Sequence, residues 1–173
     1  PSIKAFMDAN GITTGVKLQQ YYKDRQRSLM KPTHKAMYWV NDANFQYSET
    51  DILQYWSDKS SYGLIANYPN KVVFSNYDYF YLDLGYGNVF GDKSWAPFVT
   101  WKQIYSFNPY PAEIDRSRVL GGELPLWAEV NMDGTMDNHL WSRSSVFAER
   151  FWNPSINTAM APANIREIAG RAY

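Results

Sequence analysis

Apolar residues change their period several times along this chain, and each change marks a new element. Residues 2–9 (SIKAFMDA) close at Asn10-Gly11 and read as a short helix. From position 14 to about 30, Leu18, Tyr21, Tyr22 and Leu29 recur near helical spacing, which predicts a longer one. The apolar runs then become short and continuous. Residues 35–40 (KAMYWV) stop at Asn41-Asp42, residues 51–56 (DILQYW) stop at Ser57-Asp58, and residues 72–75 (VVFS) form a third run, each of strand length and bounded by turn residues. Between the second and third runs, residues 59–69 read as a helix or turn. Beyond a loop, residues 79–84 (YFYLDL) end where Gly85, Gly87 and Gly91 break regular structure. Residues 98–107 (FVTWKQIYSF) read as a helix closed by Pro109 and Pro111, and residues 119–130 (VLGGELPLWAEV) as a fourth strand. Residues 140–152 (LWSRSSVFAERFW) read as an amphipathic helix stopped at Asn153-Pro154.

Short apolar strands alternating with helices predict parallel β/α units. Such folds build ligand sites at the C-terminal ends of their strands, most consistently in eight-stranded barrels. Polar and aromatic residues collect at those ends here: Trp39, Trp56, Tyr81, Asp83, Trp127 and Glu129. A complete barrel takes eight units and about 250 residues, whereas this chain offers four units in 173 residues. Left open, the sheet would expose both edges, an invitation to aggregation. The expected fold is therefore α/β: the C-terminal half of a TIM (β/α)8 barrel, residues 1–173 forming a single domain fragment that another chain completes. The opening Pro1-Ser2-Ile3, without an initiator methionine, reads as a processed product.

The run at 119–130 poses a chemical question. Period two sets Leu124, Leu126, Ala128 and Val130 on one face and Glu123, Pro125, Trp127 and Glu129 on the other. Carboxylates beside an indole are costly to bury without partners. The same period pairs Tyr81 with Asp83. Rings that pack on the apolar faces of a sugar, next to acids that accept bonds from its hydroxyls, would answer the question.

Bulk properties narrow the alternatives. Aromatic residues make up 17% of the chain, with seven tryptophans and fourteen tyrosines, more than core filling needs. Seventeen basic and seventeen acidic residues cancel, and with no basic stripe a nucleic-acid partner is not expected. Absence of cysteine removes disulfides, thiolate catalysis and Cys-ligated metals. His34 and His139 lack ligand spacing, so neither a metal nor any other cofactor is expected. No apolar run is long enough for a membrane span. Trp95, Trp101, Trp141 and Trp152 are expected to pack helices onto the barrel. Asp42 and Asp58, at strand ends, either reach the pocket rim or cap the next helix.

The sequence Gly-Gly-Glu-x-x-x-Trp-x-Glu in "VLGGELPLWAEV", followed by Leu-Trp-x-Arg and Ala-Glu-Arg-x-Trp in "LWSRSSVFAERFW", resembles the β-N-acetylhexosaminidases of glycoside hydrolase family 20. The resemblance extends over nearly the whole chain through "AMYWVND", "ILQYW", "YFYLDLGYG" and "WKQIY". It implies retaining exo-hydrolysis of terminal N-acetylglucosamine or N-acetylgalactosamine, with the substrate's own acetamido oxygen as nucleophile, an exception to the usual two-carboxylate scheme. It implies further that Trp39, Trp56 and Trp127 wall the acetamido group and that Tyr81 gives its hydroxyl to the acetamido carbonyl. Asp83 and Glu129 would hold sugar hydroxyls. The family's His-x-Gly-Gly-Asp-Glu motif, whose aspartate orients the acetamido group and whose glutamate is general acid/base, does not occur in this sequence. Nor does it contain the family's sugar-binding arginine from the first barrel strand. The implied partner is an N-terminal chain of the same enzyme carrying that Asp-Glu pair, the two-chain unit being able to dimerise. The implied substrates are terminal N-acetylhexosamine glycans met in the lysosome or after secretion. The other class of reading is a non-catalytic glycan-binding or structural protein that retains the pocket wall.

Overall fold

Parallel strands β1 (Met37–Val40), β2 (Ile52–Tyr55), β3 (Lys71–Phe74) and β4 (Val119–Gly122) form one sheet in chain order. The computed structural model describes residues 2–40, 45–84, 98–128, 131–155, 166–168 and 170. Register turns the period-two pattern into rows that cross the sheet. Val40, Tyr55, Phe74 and Gly122 lie in one row, and Trp39, Gln54, Val73 and Gly121 in the next. Because successive side chains point to opposite faces, the first row faces the helices and the second faces the barrel interior.

Parallel neighbours need crossovers, and helices supply those that follow β2 and β3. A 3-10 turn (Lys59–Ser61) and α3 (Gly63–Ala66) join β2 to β3; α4 (Tyr77–Phe80), α5 (Trp101–Ser106) and a second 3-10 turn (Arg116–Arg118) join β3 to β4. Helix α6 (Asp133–Trp152) follows β4, and α1 (Ile3–Ala9) and α2 (Gly15–Ser28) precede the sheet. Local chemistry fixes their starts. Ser2 and Thr14 cap α1 and α2 by accepting from Ala5 N–H and Lys17 N–H at 3.3 and 3.2 Å, and Thr100 with Gln103 forms a capping box on α5.

The core lies between the helices and the outer face of the sheet. Phe80 is its hub, with ring centroids 4.6 Å from Phe107 and 5.1 Å from Phe147, while Phe147 and Phe151 are 4.7 Å apart. Phe151 lies so close to β4 that a Cβ on Gly122 would come within 2.5 Å of its ring. Gly121 is glycine for another reason. The pairing of β3 with β4 jumps from Val72–Val119 to Val73–Gly121, and Gly121 takes φ +151° at this irregularity, a conformation open to glycine and strained for other residues.

The structure corrects several expectations. The fourth strand ends at Gly122, not at 130, where its partner β3 also ends, at Phe74, and Pro125 has no N–H to extend a ladder further. Even so, the Glu123 N–H donates to the Phe74 carbonyl at 2.8 Å. Residues 81–84 form no strand, and all of them are buried, so period two does not sort them into faces. The last helix starts at Asp133, a full seven residues before Leu140. Trp101 packs on the core, but Trp141 and Trp152 are 63% and 90% exposed and hold nothing onto the sheet, while Trp95 lies outside the described residues.

Candidate active site

Aromatic rings form an arc over the C-terminal ends of the strands. Trp39 is the penultimate residue of β1, on its interior face, and its ring centroid lies 5.7 Å from that of Trp127, tilted by 43°. Trp127 in turn meets Tyr81 edge to face at 6.1 Å. Tyr77 packs on the small cluster of Tyr81 and Leu84 and lies 6.5 Å from Trp56, which directly follows β2. The arc thus brings together Trp39, Trp127 and Tyr81 directly, and Trp56 through Tyr77. Trp39 and Trp127 remain 42% and 40% exposed, leaving their faces open toward the barrel interior. Tyr81 is nearly covered, at 6%.

Main-chain bonds hold the arc in shape. Asn76 Nδ2 donates to the Ser57 carbonyl at 2.7 Å, and the Tyr77 N–H donates to the Trp56 carbonyl at 2.9 Å, so α4 is tied to the end of β2. The Leu82 N–H donates to the Pro125 carbonyl at 2.9 Å, which ties the residue after Tyr81 to the segment leading to Trp127. From α6, buried Arg143 donates through Nη2 to Leu82 O at 2.8 Å, through Nη1 to Val99 O at 3.0 Å and through Nε to His139 O at 3.0 Å. Its guanidinium carbon also stands 4.7 Å from the centre of the Phe98 ring.

The charged groups fall into distinct settings. Asp83 is buried at 2% exposure, within the field of Arg143. Burial pulls the Arg143 guanidinium down to about 10, and Asp83 opposes that shift. On the interior face Gln54 Nε2 donates to Glu123 Oε2. Burial raises the Glu123 carboxyl above its ordinary range, while Gln54 works in the opposite direction. Asp58 caps the 3-10 turn after β2 by accepting from Ser60 N–H at 2.8 Å, and bonds from Ser60 lower its pKa. Asp78 on α4 is raised to about 6 by burial, against a bond from the Lys59 N–H. Glu129 and Asp42 lie outside the described residues. Among the described residues, no group of His, Cys, Asp and Glu is arranged to hold a metal, and no helix is long and apolar enough to cross a membrane.

Chemically, the arc is a wall for a flat or apolar group, with a phenol hydroxyl at one point and buried acid beside it. Sequence reasoning missed Tyr77, Gln54 and Arg143. Tyr77 stands one helical turn before Tyr81, a spacing that signals contact. Arg143 is the arginine of the Leu-Trp-x-Arg sequence.

Comparison with known proteins bears directly on this arrangement. Residues 1–155 match the family "Glycosyl hydrolase family 20, catalytic domain". The chain is 36% identical over 107 residues to the chitooligosaccharidolytic β-N-acetylglucosaminidase of Ostrinia furnacalis, covering 58% of this chain and 18% of that protein. It is 30% identical over 135 residues to a β-hexosaminidase of Arthroderma benhamiae, covering 69% of this chain and 22% of that protein. The chain thus spans under a quarter of the length of either relative. Its fold matches the family 20 β-N-acetylhexosaminidase of Streptomyces coelicolor with a TM-score of 0.71 at 22% identity, over 91% of this chain and 33% of that one. A Streptomyces plicatus β-hexosaminidase in complex with its product N-acetylglucosamine aligns with a TM-score of 0.68 at 24% identity, over 92% and 36%. The four-stranded parallel sheet is accordingly part of an α/β barrel, and this chain belongs to the catalytic domain of glycosyl hydrolase family 20.

Proposed function

We propose that this chain is the C-terminal half of the catalytic barrel of a retaining exo-β-N-acetylhexosaminidase, which removes terminal N-acetylglucosamine or N-acetylgalactosamine. The observation that carries the reading is the convergence of Trp39, Trp127 and Tyr81 on the interior face, at ring separations of 5.7 and 6.1 Å. In substrate-assisted catalysis the acetamido oxygen attacks the anomeric carbon as the leaving group departs with a proton, giving an oxazolinium-like ion that water then opens. Holding the acetamido group against the wall formed by Trp39 and Trp127, with Trp56 beyond Tyr77, restricts it to attacking geometry, and the Tyr81 hydroxyl fixes its carbonyl. Asp83 and Glu129 hold sugar hydroxyls, and neither serves as the proton donor. That donor and the residue orienting the acetamido group form an Asp-Glu pair on an N-terminal chain that closes the barrel. The exposed interior face of the sheet supports this completion, because Met37, Trp39 and Leu120 stand open there. The proposal includes a lysosomal or extracellular setting, where terminal N-acetylhexosamine glycans and chitin fragments are met. The named activities of the Ostrinia and Arthroderma relatives lend it support.

Hydrolysis of an aryl N-acetyl-β-glucosaminide by the purified enzyme, with mass spectrometry of every polypeptide in the sample, tests the proposal. Cleavage by a preparation containing a His-x-Gly-Gly-Asp-Glu chain supports it. Glycan binding without cleavage would favour the non-catalytic alternative. Within the active enzyme, Tyr81→Phe is expected to lower kcat by about 100-fold, the usual loss when a donor to the reacting oxygen is removed. Unchanged kinetics in that variant would refute the pocket assignment.

A further inference from the structure

Arg143 is 3% exposed and gives its guanidinium to main-chain carbonyls from three segments: its own helix at His139, the approach to α5 at Val99, and Leu82. As a device for stability alone this is a poor choice. Burying a charge is costly, and an apolar side chain of similar volume usually stabilises as well or better. A planar fork of fixed donors does something an apolar side chain does not, which is to set several carbonyls at defined positions.

Leu82 is where that fork matters. Its N–H is held by Pro125 at 2.9 Å and its carbonyl by Arg143 at 2.8 Å, so its main chain is clamped on both sides. Tyr81 and Asp83 are its immediate neighbours, and Pro125 stands two residues before Trp127. Residues 81–84 have no strand ladder to hold them, so the clamp takes the ladder's place. We propose that Arg143 is a positioning residue for acetamido recognition, fixing the Tyr81-Leu82-Asp83 backbone so that the Tyr81 hydroxyl meets the acetamido carbonyl opposite Trp127. The assignment rests on the function proposed above and extends it to a residue that touches no substrate. A displacement of about 1 Å in a group aimed at the reacting atoms is enough to cost about 100-fold in rate.

A double-mutant cycle between Arg143→Met and Tyr81→Phe in the complete enzyme tests the assignment, read as kcat and KM on an aryl N-acetyl-β-glucosaminide with a thermal melt of each variant. Each single change is expected to lower kcat by about 100-fold with a smaller change in KM, and the double variant to fall little below the worse single one, as residues acting as a unit do. Should Arg143→Met fail to fold, Arg143→Lys replaces it in the same cycle. It keeps the charge but not the fork, and is expected to lower kcat about tenfold, a difference that vanishes in the Tyr81→Phe background. Losses that multiply in the cycle, or an Arg143 variant with wild-type kcat, overturn the assignment. An unmutated enzyme that fails to cleave the glycoside removes the functional reading and this one with it. If cleavage is strong and Tyr81→Phe cripples it, but the losses multiply, the functional reading stands and only the role of Arg143 falls.

Discussion

On the helix-facing side of the sheet, Val40, Leu53, Tyr55, Val72 and Phe74 are all exposed by 1% or less. On the opposite side of the same sheet, Met37, Trp39 and Leu120 are 49%, 42% and 55% exposed. Alternate residues of single strands therefore serve different ends. The outer set is sealed by helices and carries the packing energy. The inner set presents rings and polar groups to a space that the rest of the barrel encloses. Substitutions of the sealed outer side chains should therefore cost stability, and those of the open rings over the inner face should cost recognition.

Phe74→Ala should have the largest effect on folding, about 3–5 kcal/mol for a fully buried phenylalanine, read from chemical denaturation of the complete enzyme. Trp127→Ala should do the reverse: kcat/KM falls by about 100-fold through lost positioning of the acetamido group, while the melting temperature barely moves. Equal destabilisation by the two changes would erase the distinction between the faces. Gln54→Leu tests the polar part of the inner face. It leaves Glu123 without its amide donor, so it should destabilise by about 1–2 kcal/mol at neutral pH. That loss should shrink in acid as the carboxyl, already raised by burial, takes up a proton.

The smallest effect concerns Asp78. Its carboxyl is raised to about 6 in the fold, against an ordinary 3.8, so the fold prefers the protonated form. The stability this group contributes is fully present below pH 3.8 and is lost as pH rises through about 6. Asp78→Asn should therefore stabilise by about 1 kcal/mol at pH 7 and make no difference at the acid end. A melting temperature that rises equally in the variant at pH 4 and pH 7 would assign the gain to packing instead. His139 acts in the other direction. Burial, then Arg143, holds its pKa below the usual 6.5, so its contribution is present above that pH and is lost as the solution becomes more acid.

Strands β1 to β3 were readable from sequence because their outer residues are apolar, their runs are short, and turn residues bound each one. Strand β4 was read too long, since Leu124 and Leu126 keep the alternation and still pack on the core although the ladder has ended. The segment after α4 was misread for the opposite reason. Tyr81, Leu82, Asp83 and Leu84 are all buried, and a segment covered from every side leaves no period to detect. The start of α6 was missed because Met132 is an unusual cap and Gly134 an unusual first-turn residue. At the site, aromatic residues at strand ends were legible as a group, and the resemblance assigned them roles. Arg143 is visible in the sequence as the arginine of Leu-Trp-x-Arg, but its role is not, because its partners are carbonyls that every residue possesses.

The adjacent glycines of β4 constrain the chain in unlike ways. At Gly121 the constraint is torsional, lying in φ +151° with nothing within 4 Å of a prospective Cβ. At Gly122 it is spatial, set by the Phe151 ring at 2.5 Å and Phe147 at 3.0 Å. A methyl at position 122 would therefore demand concessions from two rings of α6 at once, the larger from 151 and a lesser one from 147. Position 121 has no such neighbour, and no exchange elsewhere releases it.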